Sequence, residues 1–280
     1  MWEPCPCPNV DECRRSDYNW NFVDSVACIC LADATTRFAK CVDRFHKVGL
    51  CRHVTFYRPV RDTTPYLLAP TVRGCYESHR AVNMRAMQLN KETCLVFEDD
   101  FKFGKHMSPK RLEDFASAMQ RLPPQWQIFF LGHWPLAGFI HPLPHPRFHY
   151  ATSGVFRVLS VLAHAYVAHR PYMERIANTP FDGLEYKTTK DGKRYGQMAN
   201  DMDFLKMKDV FAFFPMLAFQ SNESASSNPK GTRIARFYEH LNTPEGAQFA
   251  EAGSLFLLPT LVAGALLTVI IVIMCTHSGK

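Results

Sequence analysis

The sequence predicts an α/β protein with a doubly wound, largely parallel central sheet and a membrane-spanning helix near its C-terminal end. Three observations predict it. Short apolar runs alternate with segments of helical periodicity from Val26 to Leu131, the pattern that passes parallel strands through crossover helices. With 47% apolar and 21% charged residues in 280, the chain has material for a sizeable core, which excludes disorder as its main state. Leu255 to Cys275 (LFLLPTLVAGALLTVIIVIMC) has no charged residue, and at about 1.5 Å per residue it would span roughly 30 Å, the hydrocarbon thickness of a bilayer.

Val26 to Ala32 (VACICLA) is short, apolar and free of Gly and Pro, as in a buried strand. Phe38, Cys41, Val42, Phe45 and Val48 then recur at helix spacing, and Gly49 closes that helix. The alternation continues with a strand over His53 to Val60, a helix over Gly74 to Leu89 and a strand over Thr93 to Phe97. A helix over Ser108 to Leu122 and a strand over Gln127 to Leu131 follow. Phe148 to Leu162 is strand-like, and Ala163 to Asn178 is expected to be helical despite Pro171. Lys187 to Tyr195 (KTTKDGKRY) is polar and turn-rich, as in a surface loop. Five regions result: an N-terminal Cys/Pro-rich extension at 1–24, a catalytic-sized domain at 25–230, a connector at 231–254, the span at 255–275 and a short tail at 276–280.

For the span, the alternative of a buried core helix is weaker, because Pro259 and Gly264 are tolerated in membrane helices. A lipid-anchor signal at Ala252 to Ser254 would need a polar spacer and a secretory leader, and Met1 to Arg15 has no apolar leader core. The expectation is a single-pass C-terminal anchor with the globular part on the cytosolic side. The secretory lumen is the other side left open, and only there would the Asn222-Glu223-Ser224 sequon be modified. Nine of the ten cysteines lie between Cys5 and Cys94, and in a chain of this length without a leader they are expected to be reduced core thiols. Cys5, Cys7 and Cys13 make a weak zinc pattern, since no paired partners stand nearby. The net charge of +6 is dispersed among acidic residues and forms no basic stripe, so no nucleic-acid partner is expected.

The chemistry concentrates in Leu95 to Asp100 (LVFEDD), an apolar strand that runs into three consecutive carboxylates. Ligands of open α/β sheets sit at the carboxyl ends of strands. In extended backbone Glu98 and Asp100 point one way and Asp99 the other. Adjacent carboxylates repel unless a cation is present, and oxygen-only ligation suits Mg²⁺ or Mn²⁺, so Glu98 and Asp100 are the metal candidates. The competing reading is a solvated acidic turn. Gly74 to His79 (GCYESH) places Ser78 and His79 on or beside the apolar face of its helix, where polar groups must find partners; His79 is either a satisfied core histidine or part of the site.

These segments together resemble glycosyltransferase family 25, which includes lipopolysaccharide and procollagen galactosyltransferases. The resemblance runs through Leu31 to Arg37 (LADATTR), GCYESH at 74–79, LVFEDD at 95–100 and IFFLG at 128–132. It continues through HAYV at 164–167, Asp201-Met-Asp203 and PMLAFQSNESASS at 215–227. It implies a GT-A type, Rossmann-like nucleotide-sugar-binding domain that transfers a hexose, commonly galactose, from a UDP-sugar with a divalent cation. On that resemblance Glu98 and Asp100 hold Mn²⁺ or Mg²⁺, which would neutralise the diphosphate leaving group. Arg37, Asp33, Ser78 and Asp99 belong to the donor site, with Arg37 toward a phosphate or the uracil. Family members invert the anomeric centre, so a base must take the acceptor proton in one displacement. Asp203 or Asp201 is the candidate base, and the two aspartates read equally as a helix cap before Phe204. His79 is assigned to organising the donor. The acceptor would be a glycan, glycolipid or protein. A competing reading from another class is a catalytically silent relative that binds a sugar nucleotide or a protein at the membrane.

Overall fold

The strand-and-helix alternation is present from Ser25 onward, and it places the three carboxylates at the end of a central strand. The computed structural model describes residues 1–63, 70–104, 107–135, 155–157, 160–179, 186–188, 194–196, 207–213 and 216–221. In chain order the elements begin with β1 (Trp2–Pro4), α1 (Val10–Arg14), β2 (Ser25–Ile29), α2 (Thr35–Lys47), β3 (Val54–Tyr57), α3 (Pro70–Gln88) and β4 (Thr93–Glu98). They continue with β5 (Phe101–Phe103), α4 (Pro109–Gln120), β6 (Ile128–Pro135), β7 (Val155–Arg157), β8 (Ser160–His169) and α5 (Arg170–Ala177). The last are β9 (Tyr186–Thr188), β10 (Arg194–Gly196), β11 (Val210–Phe213) and β12 (Ala218–Gln220).

Eight strands form one sheet in the order β1-β3-β2-β4-β8-β6-β11-β7. The β3-β2-β4 block is parallel, as expected for crossover units, and β6 is parallel to β11. β8 lies between β4 and β6 and runs antiparallel to both, so the sheet is mixed. Helices cover both faces. Cys41 and Phe45 of α2 and Leu112 and Phe115 of α4 pack with Leu95, Phe97 and Phe129 on one face. Tyr76, Val82 and Ala86 of α3 and Tyr172, Met173 and Ile176 of α5 pack with Cys94, Val96, Phe130 and Tyr166 on the other. Burial on both faces explains why β4 reads as an unbroken apolar run, with Leu95 and Phe97 each contributing about 2 kcal/mol.

Local chemistry sets the ends of the helices. Ser108 caps α4 by accepting from Arg111 N at 3.2 Å, with Pro109 pre-set in the first turn. Gly49 follows α2 with φ +64°, and a Cβ there would collide with Ser16, so glycine is required.

Several expectations are corrected. Ala163 to His169 belongs to β8, not to a helix; the helix starts at Arg170 with Pro171 in its first turn. A strand buried on both faces cannot be told from a buried helix by periodicity, and Pro171 marked the helix start. Lys187 and Tyr195 lie opposite each other in an antiparallel pair, β9 with β10, rather than in a structureless loop. The N-terminal segment adds an edge strand to the sheet, with Trp2 opposite Tyr57 and Pro4 opposite Thr55. That register carries Cys5 to Cys51, and the two form a disulfide with Cα atoms 5.6 Å apart. This pair departs from the expectation of reduced thiols, while the seven other described cysteines are free, five of them buried and Cys7 and Cys75 partly exposed.

Among the described residues no helix is long and apolar enough to cross a membrane. The span at 255–275, the connector at 231–254 and the sequon at Asn222 all lie outside the described residues.

Candidate active site at the carboxyl end of the central strand

Strand alternation decides which helix each carboxylate meets. Cys94 and Val96 face α3, so Glu98 does too; Leu95 and Phe97 face α2, so Asp99 turns to α2. Glu98 Oε1 lies 2.8 Å from His79 Nε2 and accepts from Cys75 Sγ at 3.9 Å. Asp99 Oδ1 accepts from Arg37 Nη1 at 2.8 Å. Asp100 lies past the strand end, where its Oδ2 accepts from Gln220 Nε2 on β12 at 2.8 Å. Its Oδ1 is buried and has no hydrogen-bond partner among the described residues.

His79 is fully buried and held on both sides. Its Nδ1 lies 2.9 Å from the Tyr166 hydroxyl, and Asn83 Nδ2 donates to the His79 carbonyl at 2.8 Å. Burial raises the Tyr166 pKa, so its hydroxyl stays protonated. Register places His164 level with Glu98, because Phe97 pairs with Ala165.

The three carboxylates titrate differently. For Glu98, burial opposes ionisation, but the hydrogen bond and charge of His79, the charge of His164 and the Cys75 contact outweigh it, so its pKa falls. For Asp99, burial wins over the Arg37 charge and the pKa rises. Asp100 is pushed up to about 7, by burial first and by the Glu98 charge second. One strand end thus holds one anion stabilised by histidine and one carboxyl poised near neutrality, a pattern found at functional sites.

Beside this cluster the chain turns from β2 into α2. Asp33, Ala34, Thr35, Thr36, Arg37 and Arg61 line a hollow of about 210 Å³ there. Ala34 stands at the N-cap and makes no side-chain cap; Thr35 N donates to the Asp33 carbonyl at 3.0 Å, and the Thr36 and Arg37 N–H groups that follow it face the hollow with no side-chain cap. Arg61 Nε donates to Asp33 Oδ2 at 3.3 Å across the hollow.

Against the sequence expectations, Glu98, Asp99, Asp100, Arg37 and His79 are brought together, and Asp33 borders the neighbouring hollow. Ser78 is buried and its Oγ donates to the Gly74 carbonyl in its own helix, which ties up that proton. Asp201 and Asp203 lie outside the described residues. Among the described residues there are two groups of three potential metal ligands, Cys75-His79-Glu98 here and Cys7-Cys13-His46 elsewhere. Sequence reasoning gave no role to Tyr166, His164, Gln220 or Asn83. For Asn83 a signal existed, since it sits four residues after His79 on one helix face. Tyr166 and His164 fall in the HAYV segment of the resemblance, but reading that segment as a helix hid that they face His79 and Glu98.

No family model matches the chain. No curated protein matches it either. Among solved structures it is similar to the crystal structure of A197 from STIV, at 10% identity and a TM-score of 0.37, over 70% of this chain and 84% of that one. A likeness at that TM-score carries no argument about function.

A divalent cation can be tested against the residues present. The buried, unpartnered Oδ1 of Asp100 next to the Glu98 charge is an orphaned acceptor that a cation would satisfy. The hard oxygen donors of Glu98 and Asp100 fit Mg²⁺ or Mn²⁺, while Cys75 and His79 add softer donors on the helix side.

Proposed function

We propose that the chain is a GT-A type glycosyltransferase that moves a hexose, galactose by the family resemblance, from a UDP-sugar to a glycan, glycolipid or protein acceptor, tethered to a membrane by residues 255–275. The observation that carries this reading is Asp100, a half-buried residue whose buried Oδ1 has no hydrogen-bond partner among the described residues, next to the Glu98 charge at the end of a central strand. Glu98 and Asp100 would hold Mn²⁺ or Mg²⁺, which when bound supplies positive charge against the diphosphate leaving group. His79, fixed by Tyr166 and Asn83, holds the Glu98 carboxylate in one orientation. The uncapped first turn of α2 and the Arg61 guanidinium bind the diphosphate in the neighbouring hollow, and Arg37 keeps Asp99 turned away from it. In the single displacement the acceptor oxygen bonds to the anomeric carbon as the bond to UDP breaks, and the acceptor proton passes to a carboxylate, Asp203 or Asp201.

A second reading has its own support. Glu98 is already engaged by His79, and Asp99 by Arg37, the satisfied polar network of a site that only binds. One experiment separates the two readings. The full chain is screened against UDP-hexoses with Mn²⁺, following both UDP release and thermal shift. Metal-dependent UDP release that Asp100→Asn removes supports the transferase. A thermal shift with UDP but no release from any UDP-hexose or acceptor supports the binding module. Neither signal with any donor overturns both.

A further inference from the structure

At the other end of α2 from Arg37, nine residues or about 14 Å along the helix, a second cluster stands apart from the carboxylates. Cys7 Sγ lies 3.2 Å from Cys13 Sγ and 3.8 Å from His46 Nδ1, and Cys13 Sγ lies 3.3 Å from the same nitrogen. A tetrahedral zinc with Zn–S of about 2.3 Å and Zn–N of about 2.0–2.1 Å has sulfur–sulfur edges of about 3.8 Å and sulfur–nitrogen edges of about 3.6 Å. The three observed separations therefore lie within about 0.6 Å of one face of such a tetrahedron. A disulfide between Cys7 and Cys13 would need about 2.05 Å, so both remain thiols.

The surroundings are those of a ligand set. His46 Nε2 lies 3.3 Å from Glu12 Oε2, the carboxylate–histidine pairing that fixes a metal-binding ring and turns its other nitrogen to the ion. Cys13 is buried and Cys7 is partly exposed, which leaves an entry path on the Cys7 side. The fold also has a use for a clip here. α1 has only five residues, too short to hold itself as a helix, and its Cys13 packs into the core beside α2.

We propose that Cys7 Sγ, Cys13 Sγ and His46 Nδ1 form a structural binding site for a thiophilic divalent cation, zinc first, with a solvent molecule in the fourth position and Glu12 orienting the histidine. The ion fastens α1 and the residues before it to the C-terminal end of α2. The site uses no residue of the carboxylate cluster.

The test is a Co²⁺ titration of the full chain, followed by displacement with Zn²⁺. The expected result is one equivalent bound, with thiolate-to-cobalt charge-transfer absorption and tetrahedral visible bands that Zn²⁺ abolishes. Cys13→Ser and His46→Ala should each remove these bands. Both could disturb the core, so Glu12→Gln is the second variant: its carboxylate is exposed, and it should weaken binding by about 10–100-fold with the fold retained. Asp100→Asn should leave the bands unchanged, which keeps this site's test separate from that of the carboxylate site. Three outcomes overturn the proposal: no charge-transfer band, a band that survives both Cys13→Ser and His46→Ala, or a Cys7–Cys13 disulfide found by intact mass in metal-saturated buffer.

Discussion

The two ends of α2 collect reactive groups in opposite ways: its N-terminal end meets three carboxylates contiguous in the chain, while its C-terminal end meets two thiols and an imidazole drawn from positions 7, 13 and 46. At the first, a strand end forces neighbouring residues to diverge, so Glu98 goes to α3, Asp99 to α2 and Asp100 to β12. At the second, folding makes residues from distant positions converge. Divergence turns Asp99 away to Arg37 and leaves each carboxylate with a different partner and proton affinity, while Glu98 and Asp100 still feel each other's charge. Convergence gives several donors one common point, which is what an ion of fixed geometry requires.

The largest expected effect tests the divergent end. Glu98→Gln keeps the shape and removes the charge, and the proposed metal-dependent UDP release should fall by at least about 100-fold, with the His46-dependent cobalt bands intact. An unchanged rate would sink the assignment of Glu98. Next is Gly132, where a Cβ would sit 2.0 Å from the Ala218 carbonyl and 2.6 Å from His164 Nε2. Gly132→Ala should destabilise the fold by about 3 kcal/mol in urea unfolding, since backbone cannot retreat as a side chain can.

A smaller effect distinguishes Asp100 from its neighbours. Its folded pKa of about 7 lies above the ordinary carboxylate value of 3.8. Its contribution to stability is therefore full in acid, below the unfolded value, and is lost as pH rises through about 7. In chelator, urea midpoints should drop between pH 5 and pH 8. Asp100→Asn should flatten that drop and gain on the order of 2 kcal/mol at pH 8; a drop of undiminished size would assign the titration elsewhere. The smallest effect is at Tyr166→Phe, which deletes one buried hydrogen bond to His79 and should cost about 1 kcal/mol. If His79 orients Glu98, the same variant should also weaken Mn²⁺ binding, which loss of packing alone would not do.

The divergent end was legible because its information is local. LVFEDD announces a strand and its polar terminus in six residues, and alternation alone sends Glu98 and Asp99 to opposite faces. The sequence could not show that Asp100 leaves that alternation to meet Gln220, because the turn into β5 is made by pairing with β12, over a hundred residues later. β8 was misread for a related reason: a strand covered on both faces loses the period-2 signature, and with it went the roles of His164 and Tyr166. The convergent end was half visible. Cys7 and Cys13 stood out, but His46 read as one more residue of an amphipathic helix, and only the tertiary fold sets it against them.

The antiparallel strand in mid-sheet also bears on the order in which the molecule can assemble. Phe97 pairs with Ala165, 68 residues later, whereas β2 and β3 are joined through one α-helix and a short 3-10 turn at Cys51–His53. Closing the longer loop costs more chain entropy and comes late. The wall that holds Tyr166 and His164 against His79 and Glu98 therefore forms after the β2-α2-β3 unit. In refolding, the proposed Mn²⁺-dependent UDP binding should recover more slowly than the burial of Trp20 beside that unit.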